Sequence, residues 1–209
     1  MSTYRVSDQQ YAEMREWVRN YINANCIVRD VNIPGKVPGT TYSWMFYLRR
    51  GLFNAMFSSA IAQMFLYKVE REIDPTFNIQ LSGLETAATP MLSSIPIVWK
   101  AFGVNVNAFV VRKEQKEYGL KNWIEGYATD QPVLMIDDLC NSGSSLARCH
   151  QILSNMNADF IPYCLTIVNK SNKGVHSKQR LASDIYLPKN FKVISLFDLD
   201  DFDLTNPSH

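Results

Sequence analysis

Residues 132–148 read PVLMIDDLCNSGSSLAR, and the fold of the chain follows from this stretch. The apolar run 133–136 has the length and composition of a fully buried strand, and it stops at two adjacent carboxylates, Asp137 and Asp138. A run of small and hydroxyl residues, 141–145, comes next, and the residues after it have the pattern of a helix. The stretch therefore predicts a strand, an acidic pair, a short loop and a helix.

A turn of this kind is suited to bind an anion. The start of a helix leaves backbone N–H groups unpaired and carries a partial positive charge, so it attracts phosphate. Gly143 allows close approach of the backbone, and the hydroxyls of Ser142, Ser144 and Ser145 add donors. The acidic pair can accept hydrogen bonds from a sugar or contact Mg²⁺ through water. The stretch is therefore typical of a sugar phosphate site, and an ordinary strand-to-helix turn is the alternative.

The string LMIDDLCNSGSS, residues 134–145, resembles the signature of the type I phosphoribosyltransferases, which bind 5-phosphoribosyl 1-diphosphate (PRPP). The resemblance assigns Asp137 and Asp138 to the ribose hydroxyls as catalytic residues. It implies that the 5′-phosphate of PRPP binds at Asn141, Ser142, Gly143, Ser144 and Ser145. It also implies an Mg²⁺ cofactor held mainly by PRPP and water, with the acidic pair as its candidate protein contact and no dedicated metal site.

Composition places the chain among ordinary globular proteins. It has 209 residues, of which 46% are hydrophobic and 20% charged, and we expect a single domain over residues 1–209. A net charge of +1 gives no reason to expect a nucleic acid or a membrane as partner. Four dispersed cysteines without a C-x-x-C pair argue against zinc. The polar N-terminus has no apolar signal core, so we expect a cytoplasmic protein.

Strands and helices alternate along the chain. Helices are predicted at 8–25, 54–73 and 91–102 and after residue 145, and strands at 42–48, 77–81, 107–111, 133–136, 161–168 and 191–197. Residues 27–41, with two prolines and two glycines, are predicted to form turns and short extended pieces. The alternation predicts an α/β fold with a doubly wound, mainly parallel sheet. In the fold that the resemblance implies, residues 1–50 supply a small N-terminal hood with base-pocket elements, and 77–197 form the core sheet.

Three of the predicted loops follow strands of this sheet. They lie at 82–90, 112–122 and 137–145. Because the carboxyl ends of parallel strands meet at one edge of a sheet, and ligands bind there, we expect the three loops to contribute to one site.

The 112–122 loop contains the charged run RKEQKEYG, which on its own is typical of a solvated loop. Beside a phosphate site it resembles the mobile catalytic loop of the orotate branch of the family. That resemblance assigns Arg112, Lys113 and Lys116 to the diphosphate, with Lys116 as the catalytic lysine, because cations stabilise the charge on the departing diphosphate. Tyr118 stands where histidine is usual. In the family this loop reaches into the neighbouring subunit's site, which implies a homodimer.

The string SGLETAATP, residues 82–90, resembles the diphosphate loop of the same family. The resemblance assigns Glu85, Thr86 and Ala87 to PRPP, whose diphosphate contacts backbone N–H groups of this loop. Alanines at 87 and 88 replace two glycines of the family. Either the loop takes a backbone conformation that alanine adopts readily, or binding is altered. A plain strand-to-helix connection is the alternative interpretation.

Residues 38–50, PGTTYSWMFYLRR, are similar to the segment that lines the orotate pocket of the family. The resemblance assigns Lys36, Ser43 and Tyr47 to the base. Ser43 and the Leu-Arg-Arg at 48–50 match in kind, whereas the spacing is one residue longer and Tyr47 stands where an acidic residue is frequent. The base is therefore the least defined ligand of the predicted site.

The resemblance as a whole implies a glycosyltransferase of UMP biosynthesis that moves the 5-phosphoribosyl group from PRPP to orotate and releases diphosphate. Two alternatives stay open. One is the same chemistry on another nucleobase, either a purine or another pyrimidine. The other is a protein that binds PRPP or a nucleotide as a regulator with little or no turnover, and the replacements at Ala87, Ala88 and Tyr118 are the reason to consider it.

Overall fold

The computed structural model describes residues 5–34, 39, 41–73, 76–115, 122–170 and 187–204, which contain a two-stranded hairpin and a six-stranded central sheet. The strands are β1 Ile27–Pro34, β2 Thr41–Phe46, β3 Gln80–Leu84, β4 Asn107–Val111, β5 Ile124–Glu125, β6 Val133–Cys140, β7 Phe160–Asn169 and β8 Lys192–Asp198. The helices are α1 Asp8–Tyr21, α2 Arg49–Leu52, α3 Ala55–Glu72, α4 Thr89–Ala101 and α5 Ser144–Ser154. The central sheet has the order β5-β4-β3-β6-β7-β8, and every neighbouring pair is parallel except β4 with β5.

Helices cover both faces of the central sheet. On one face α3 and α4 pack against the sheet and α1 packs against α3, and the fully buried Trp99 of α4 donates its indole N–H to the carbonyl oxygen of Ala62 on α3 at 2.7 Å. On the other face α5 packs through residues such as Leu146 and Cys149. A mainly parallel sheet covered on both faces is the doubly wound α/β fold, so the predicted fold class is confirmed.

Capping residues start the two long helices where the sequence predicts them. Ser7 accepts a hydrogen bond from the backbone N–H of Gln10, whose side chain accepts from the Ser7 backbone in return, and this capping box begins α1. The Asn54 side chain accepts from the N–H of Phe57 at 3.1 Å and begins α3. The chain leaves α1 through one π-helical turn, Ile22–Cys26, so the helical span agrees with the predicted helix.

The prediction of turns and short extended pieces over 27–41 needs correction in its first half, where the chain forms one strand of 8 residues. β1 lies there and pairs antiparallel with β2, and Ile27 faces Phe46 in that register with both side chains buried. Asp30 takes a φ of 57° where the register shifts, which is a conformation that aspartate tolerates better than most residues. Pairing and burial thus stabilise a strand that local propensity does not reveal.

Two predicted strands need new bounds. β3 begins and ends three residues later than the predicted 77–81, so Gly83 is a strand residue and not part of a loop. β6 does not stop at residue 136 but continues through the acidic pair, because β7 offers it a partner there and Asp137 pairs with Thr166. The short β5 and α2 are further elements that the sequence did not predict.

Candidate functional site

The carboxyl ends of β3, β4 and β6, which are neighbours in the sheet, bring their loops to one edge, as predicted. A cavity of about 440 Å³ opens there between these loops, the end of β2 and α2. It is lined by Met45, Phe46, Tyr47, Leu48, Arg49, Thr86, Ala87, Lys113 and Asp138. The structure therefore brings together five of the residues predicted for the site, namely Tyr47, Thr86, Ala87, Lys113 and Asp138.

The two carboxylates of the acidic pair occupy different environments. Asp138 is half-buried and lines the cavity, whereas Asp137 is 5% exposed and lies behind it. The side chain of Asp137 accepts a hydrogen bond from the backbone N–H of Asp138 at 2.9 Å. Asp138 is therefore the carboxylate available to a ligand, and Asp137 orients the backbone that carries it.

Burial and mutual repulsion determine the charge of the pair. Burial raises the pKa of Asp137 well above its ordinary value, and the neighbouring Asp138 raises it further. Burial also raises the pKa of Asp138, but the hydrogen bond with Asp137 and the guanidinium of Arg49 lower it. Two adjacent carboxyls in a poorly solvated site do not ionise independently. We assign the negative charge of the pair to Asp138, because it is more exposed and interacts with Arg49.

Asp137→Asn is expected to stabilise the protein by about 0.5–2 kcal/mol at pH 8. A raised folded-state pKa means that the folded state binds the proton more tightly than the unfolded state does, so wild-type stability is lost as the pH rises from 3.8 through the folded-state pKa of Asp137. Asparagine keeps the acceptor for the Asp138 N–H and does not ionise. Urea unfolding of both proteins at pH 5 and pH 8 should show an advantage that grows with pH. An advantage independent of pH would contradict the charge assignment.

The predicted phosphate loop follows β6 and leads into α5. Gly143 is the N-cap residue of α5 with a φ of 75°, a left-handed conformation that explains the glycine. Ser144 and Ser145 form the first turn of the helix, and the Ser142 hydroxyl donates to the hydroxyl of Ser144 at 3.3 Å. Asn141, just after the strand, is exposed. This segment has the donors and the helix start that a phosphate monoester requires, and it lies next to the cavity in the chain.

The loop after β3 is tied to the strand beside it. The Glu85 backbone N–H donates to the carbonyl oxygen of Val111 at 2.8 Å, and the Glu85 carboxylate accepts from the backbone N–H of Lys113 at 2.9 Å. The peptide bond between Glu85 and Thr86 is cis. These contacts hold the loops after β3 and β4 together at the cavity.

The alanines of this loop adopt backbone conformations common to all residues. Ala88 is the N-cap residue of α4 with φ −75° and ψ −21°, and Ala87 is not among the residues with positive φ in the described chain. Pro90 lies in the first turn of α4, where its missing N–H costs no hydrogen bond. Of the two interpretations of the glycine-to-alanine replacements, the structure therefore favours a loop that does not need glycine at 87 or 88.

Other predicted site residues lie away from the cavity or outside the described chain. Arg112 forms an ion pair with Glu125 at 2.8 Å and is not among the lining residues. Ser43 is an exposed residue of β2, also outside the lining. Lys36 and Lys116 lie outside the described residues, as does Tyr118 with most of the 112–122 loop.

Arg49 is a lining residue that the sequence interpretation did not assign to the site. Its guanidinium carbon lies 5.4 Å from the ring centroid of Tyr47. Arg49 directly follows the predicted strand 42–48, within the Leu-Arg-Arg that matches the pocket segment in kind. A signal was nevertheless available, because Arg49 lies only two residues after Tyr47, which the resemblance assigns to the base.

The described residues contain no group of three or more His, Cys, Asp or Glu side chains arranged to hold a metal ion. Among the lining residues Asp138 is the one that carries a carboxylate. This single ligand fits a Mg²⁺ ion that arrives with a phosphate compound and takes its other ligands from phosphate and water. The described helices include none that is long and apolar enough to cross a membrane.

Comparison with known proteins supplies relatives for this arrangement. No protein-family model matches the chain. The chain is 33% identical over 99 residues to the orotate phosphoribosyltransferase of Leptospira biflexa, an overlap of 46% of this chain and 51% of that protein. The chain thus spans about half the length of the curated relatives it matches.

Solved structures extend the likeness to most of the fold. The orotate phosphoribosyltransferase of Mycobacterium tuberculosis, in complex with Fe(III) dicitrate, superposes with a TM-score of 0.70 at 21% identity, covering 90% of this chain and 98% of that one. The same enzyme in complex with PRPP gives a TM-score of 0.62 at 20% identity, covering 93% and 92%. The resemblance to the type I phosphoribosyltransferases, and within them to the orotate branch, is therefore confirmed in fold and, over about half the chain, in sequence.

Proposed function

We propose that this chain is a phosphoribosyltransferase that moves the 5-phosphoribosyl group from PRPP to orotate, giving orotidine 5′-phosphate and diphosphate. One observation carries the proposal. Asp138 of the acidic signature, the small loop residues Thr86 and Ala87, and Lys113 line a single cavity at the carboxyl edge of the sheet. A ribosyl diphosphate needs an acceptor for its hydroxyls, a backbone that it can approach closely and a cation. Asp138, the loop at Thr86 and Ala87, and Lys113 supply these three features.

Each part of PRPP has a candidate contact in this proposal. The Asp138 carboxylate accepts hydrogen bonds from ribose hydroxyls, and the start of α5 with Ser144 binds the 5′-phosphate. The loop at Thr86 and the ammonium of Lys113 bind the diphosphate and stabilise the charge that it gains as the C1–O bond breaks. Lys116 stays the predicted catalytic lysine. Bound with the substrate, Mg²⁺ would supply further neutralisation of the diphosphate, with Asp138 as its contact through water.

A diphosphate-release assay tests the proposal directly. The full chain is incubated with PRPP, Mg²⁺ and orotate, and diphosphate is measured by a coupled enzymatic reaction. Release that requires all three components is the expected result. Release with a different base and none with orotate would reject the substrate and keep the reaction class, whereas PRPP binding without release for any base would favour a regulator.

A different base is the one alternative that a specific observation favours. Tyr47 lines the cavity where the resemblance leads one to expect an acidic residue, and Ser43 lies outside the lining. A pocket changed in this way is compatible with a changed base. A panel of purine and pyrimidine bases in the same assay decides between them, and the rank order of kcat/KM is the measurement.

We also propose that the protein is a homodimer through an apolar surface beside the cavity. Phe53, Met56 and Ile97 are 80%, 70% and 74% exposed, and Trp17 is 38% exposed. They border two shallow grooves that share Ala55, one of which includes the cavity residue Thr86. Clustered exposure of this kind is typical of an interface between proteins.

Ile97→Glu is expected to convert the dimer to a monomer, because a carboxylate would have to be desolvated in an apolar interface. Sedimentation velocity over a range of protein concentrations measures the change. Lys192→Glu, an exposed charge reversal at the start of β8 that borders neither groove, is the control and should leave the dimer intact. A monomeric wild type, or a dimer in the Ile97 variant, would contradict this surface as the interface.

A further inference from the structure

Arg49 is a half-buried cation whose donors are unused. Within the described part of the chain its guanidinium makes no hydrogen bond and no ion pair within 4 Å, and its contacts are the ring of Tyr47 and the longer-range charge of Asp138. A guanidinium carries five N–H donors in a planar fork that matches a carboxylate or phosphate. Arg49 lines the cavity with its N–H donors unpaired by any described residue, so it is available to bind an anionic group of a ligand.

The position of Arg49 indicates which anionic group this is. In the proposed function the two phosphate ends of PRPP have contacts of their own, at Lys113 with the loop after β3 and at the start of α5. Arg49 lies with the hood side of the cavity, next to Phe46 and Tyr47, where a flat base would pack. We propose that Arg49 is a specificity-determining residue that binds a carboxylate on the base and so selects an acidic pyrimidine over a neutral one. This inference rests on the proposed function for the placement of PRPP.

Tyr47 explains how Arg49 keeps its charge available. A cation over an aromatic ring is held by the ring quadrupole, which uses none of the N–H donors. An acidic residue at position 47 would instead compete with the ligand for the fork. Arg50 lies at the same distance, 5.4 Å, from the same ring, but it is exposed and does not line the cavity. Arg50 is therefore the matched control for Arg49.

The test compares two nucleotides that differ only in the carboxylate, orotidine 5′-phosphate and uridine 5′-phosphate, by calorimetry with the full chain. We expect the wild type to bind orotidine 5′-phosphate about 10- to 100-fold more tightly, the factor typical of a charge-assisted hydrogen-bonded pair. Arg49→Gln should reduce this ratio to within about threefold by weakening only the orotidine nucleotide. Arg49→Lys should give an intermediate ratio, because it keeps the charge and loses the fork. Arg50→Gln should keep the wild-type ratio.

Three results would overturn the inference. The first two are a wild type that does not prefer the carboxylated nucleotide and a preference that persists in Arg49→Gln. The third is an equal loss of affinity for both nucleotides in Arg49→Gln, which would place Arg49 against the ribose phosphate. The binding measurement does not depend on turnover. If the preference is lost in Arg49→Gln although no diphosphate is released with orotate, the proposed function fails and this inference stands.

Discussion

Replacing Asp138 by asparagine is expected to lower kcat/KM for PRPP by at least about 100-fold. Asp138 is the member of the acidic pair that lines the cavity and to which we assign the charge. Asparagine has the same size, but it is neutral and carries an NH2 donor in place of one carboxylate oxygen, so it cannot accept a ribose hydroxyl on each of two oxygens. The substitution would also remove the carboxylate that interacts with Arg49, so the net charge of the cavity would become more positive.

Initial rates of diphosphate release at varied PRPP measure the effect, and urea unfolding measures the stability of the same samples. Asp130→Asn, an exposed substitution just before β6 at the opposite edge of the sheet, should leave both quantities at wild-type values. Asp137→Asn should reduce kcat/KM less than Asp138→Asn, because Asp137 does not line the cavity. An unchanged kcat/KM for Asp138→Asn in a folded protein would reject its proposed contact with ribose.

The place of the acidic pair in the fold could be predicted from the sequence, whereas the division of labour within it could not. A buried apolar run followed by a helix fixes the pair at the carboxyl edge of a parallel sheet. That Asp137 lies behind Asp138 depends on β6 continuing past it, and this depends on its pairing with Thr166 in β7. Strand ends are determined by partners distant in sequence, which local propensity does not contain.

The base side of the cavity was predicted less well for a similar reason. β1 became recognisable as a strand only through its pairing with β2, and the hairpin determines which residues before Arg49 face the cavity. Tyr47 lines the cavity and Ser43 does not, and the assignment of both residues to the base stays a prediction. Ser43 lies inside β2, whereas Tyr47 comes just after the end of β2, and it is this end that borders the cavity.

Near the diphosphate loop the position that requires glycine is residue 83, and residues 87 and 88 do not require it. A Cβ atom on Gly83 would lie 2.4 Å from the carbonyl oxygen of Ile136 in β6 and 2.5 Å from the Cβ atom of Ala88. Real Cβ atoms do not approach backbone oxygens this closely. β3 and β6 therefore come together at Gly83, immediately before the loop and beside the acidic pair, and the methyl of Ala88 fills the space that the glycine leaves.

Gly83→Ala is accordingly expected to reduce the free energy of unfolding by about 1–3 kcal/mol and to raise KM for PRPP, because the added methyl separates the two strands that position Asp138 and the loop. Urea unfolding and initial rates measure the two effects. Ala88→Gly in the same chain removes the contact with the Ala88 methyl but not the one with the Ile136 oxygen, so the double variant should recover part of the stability and not all of it. Full recovery of stability in the double variant would show that the contact with the Ala88 methyl is the only reason for glycine at 83. An unchanged free energy of unfolding in Gly83→Ala would show that β3 and β6 can separate without cost.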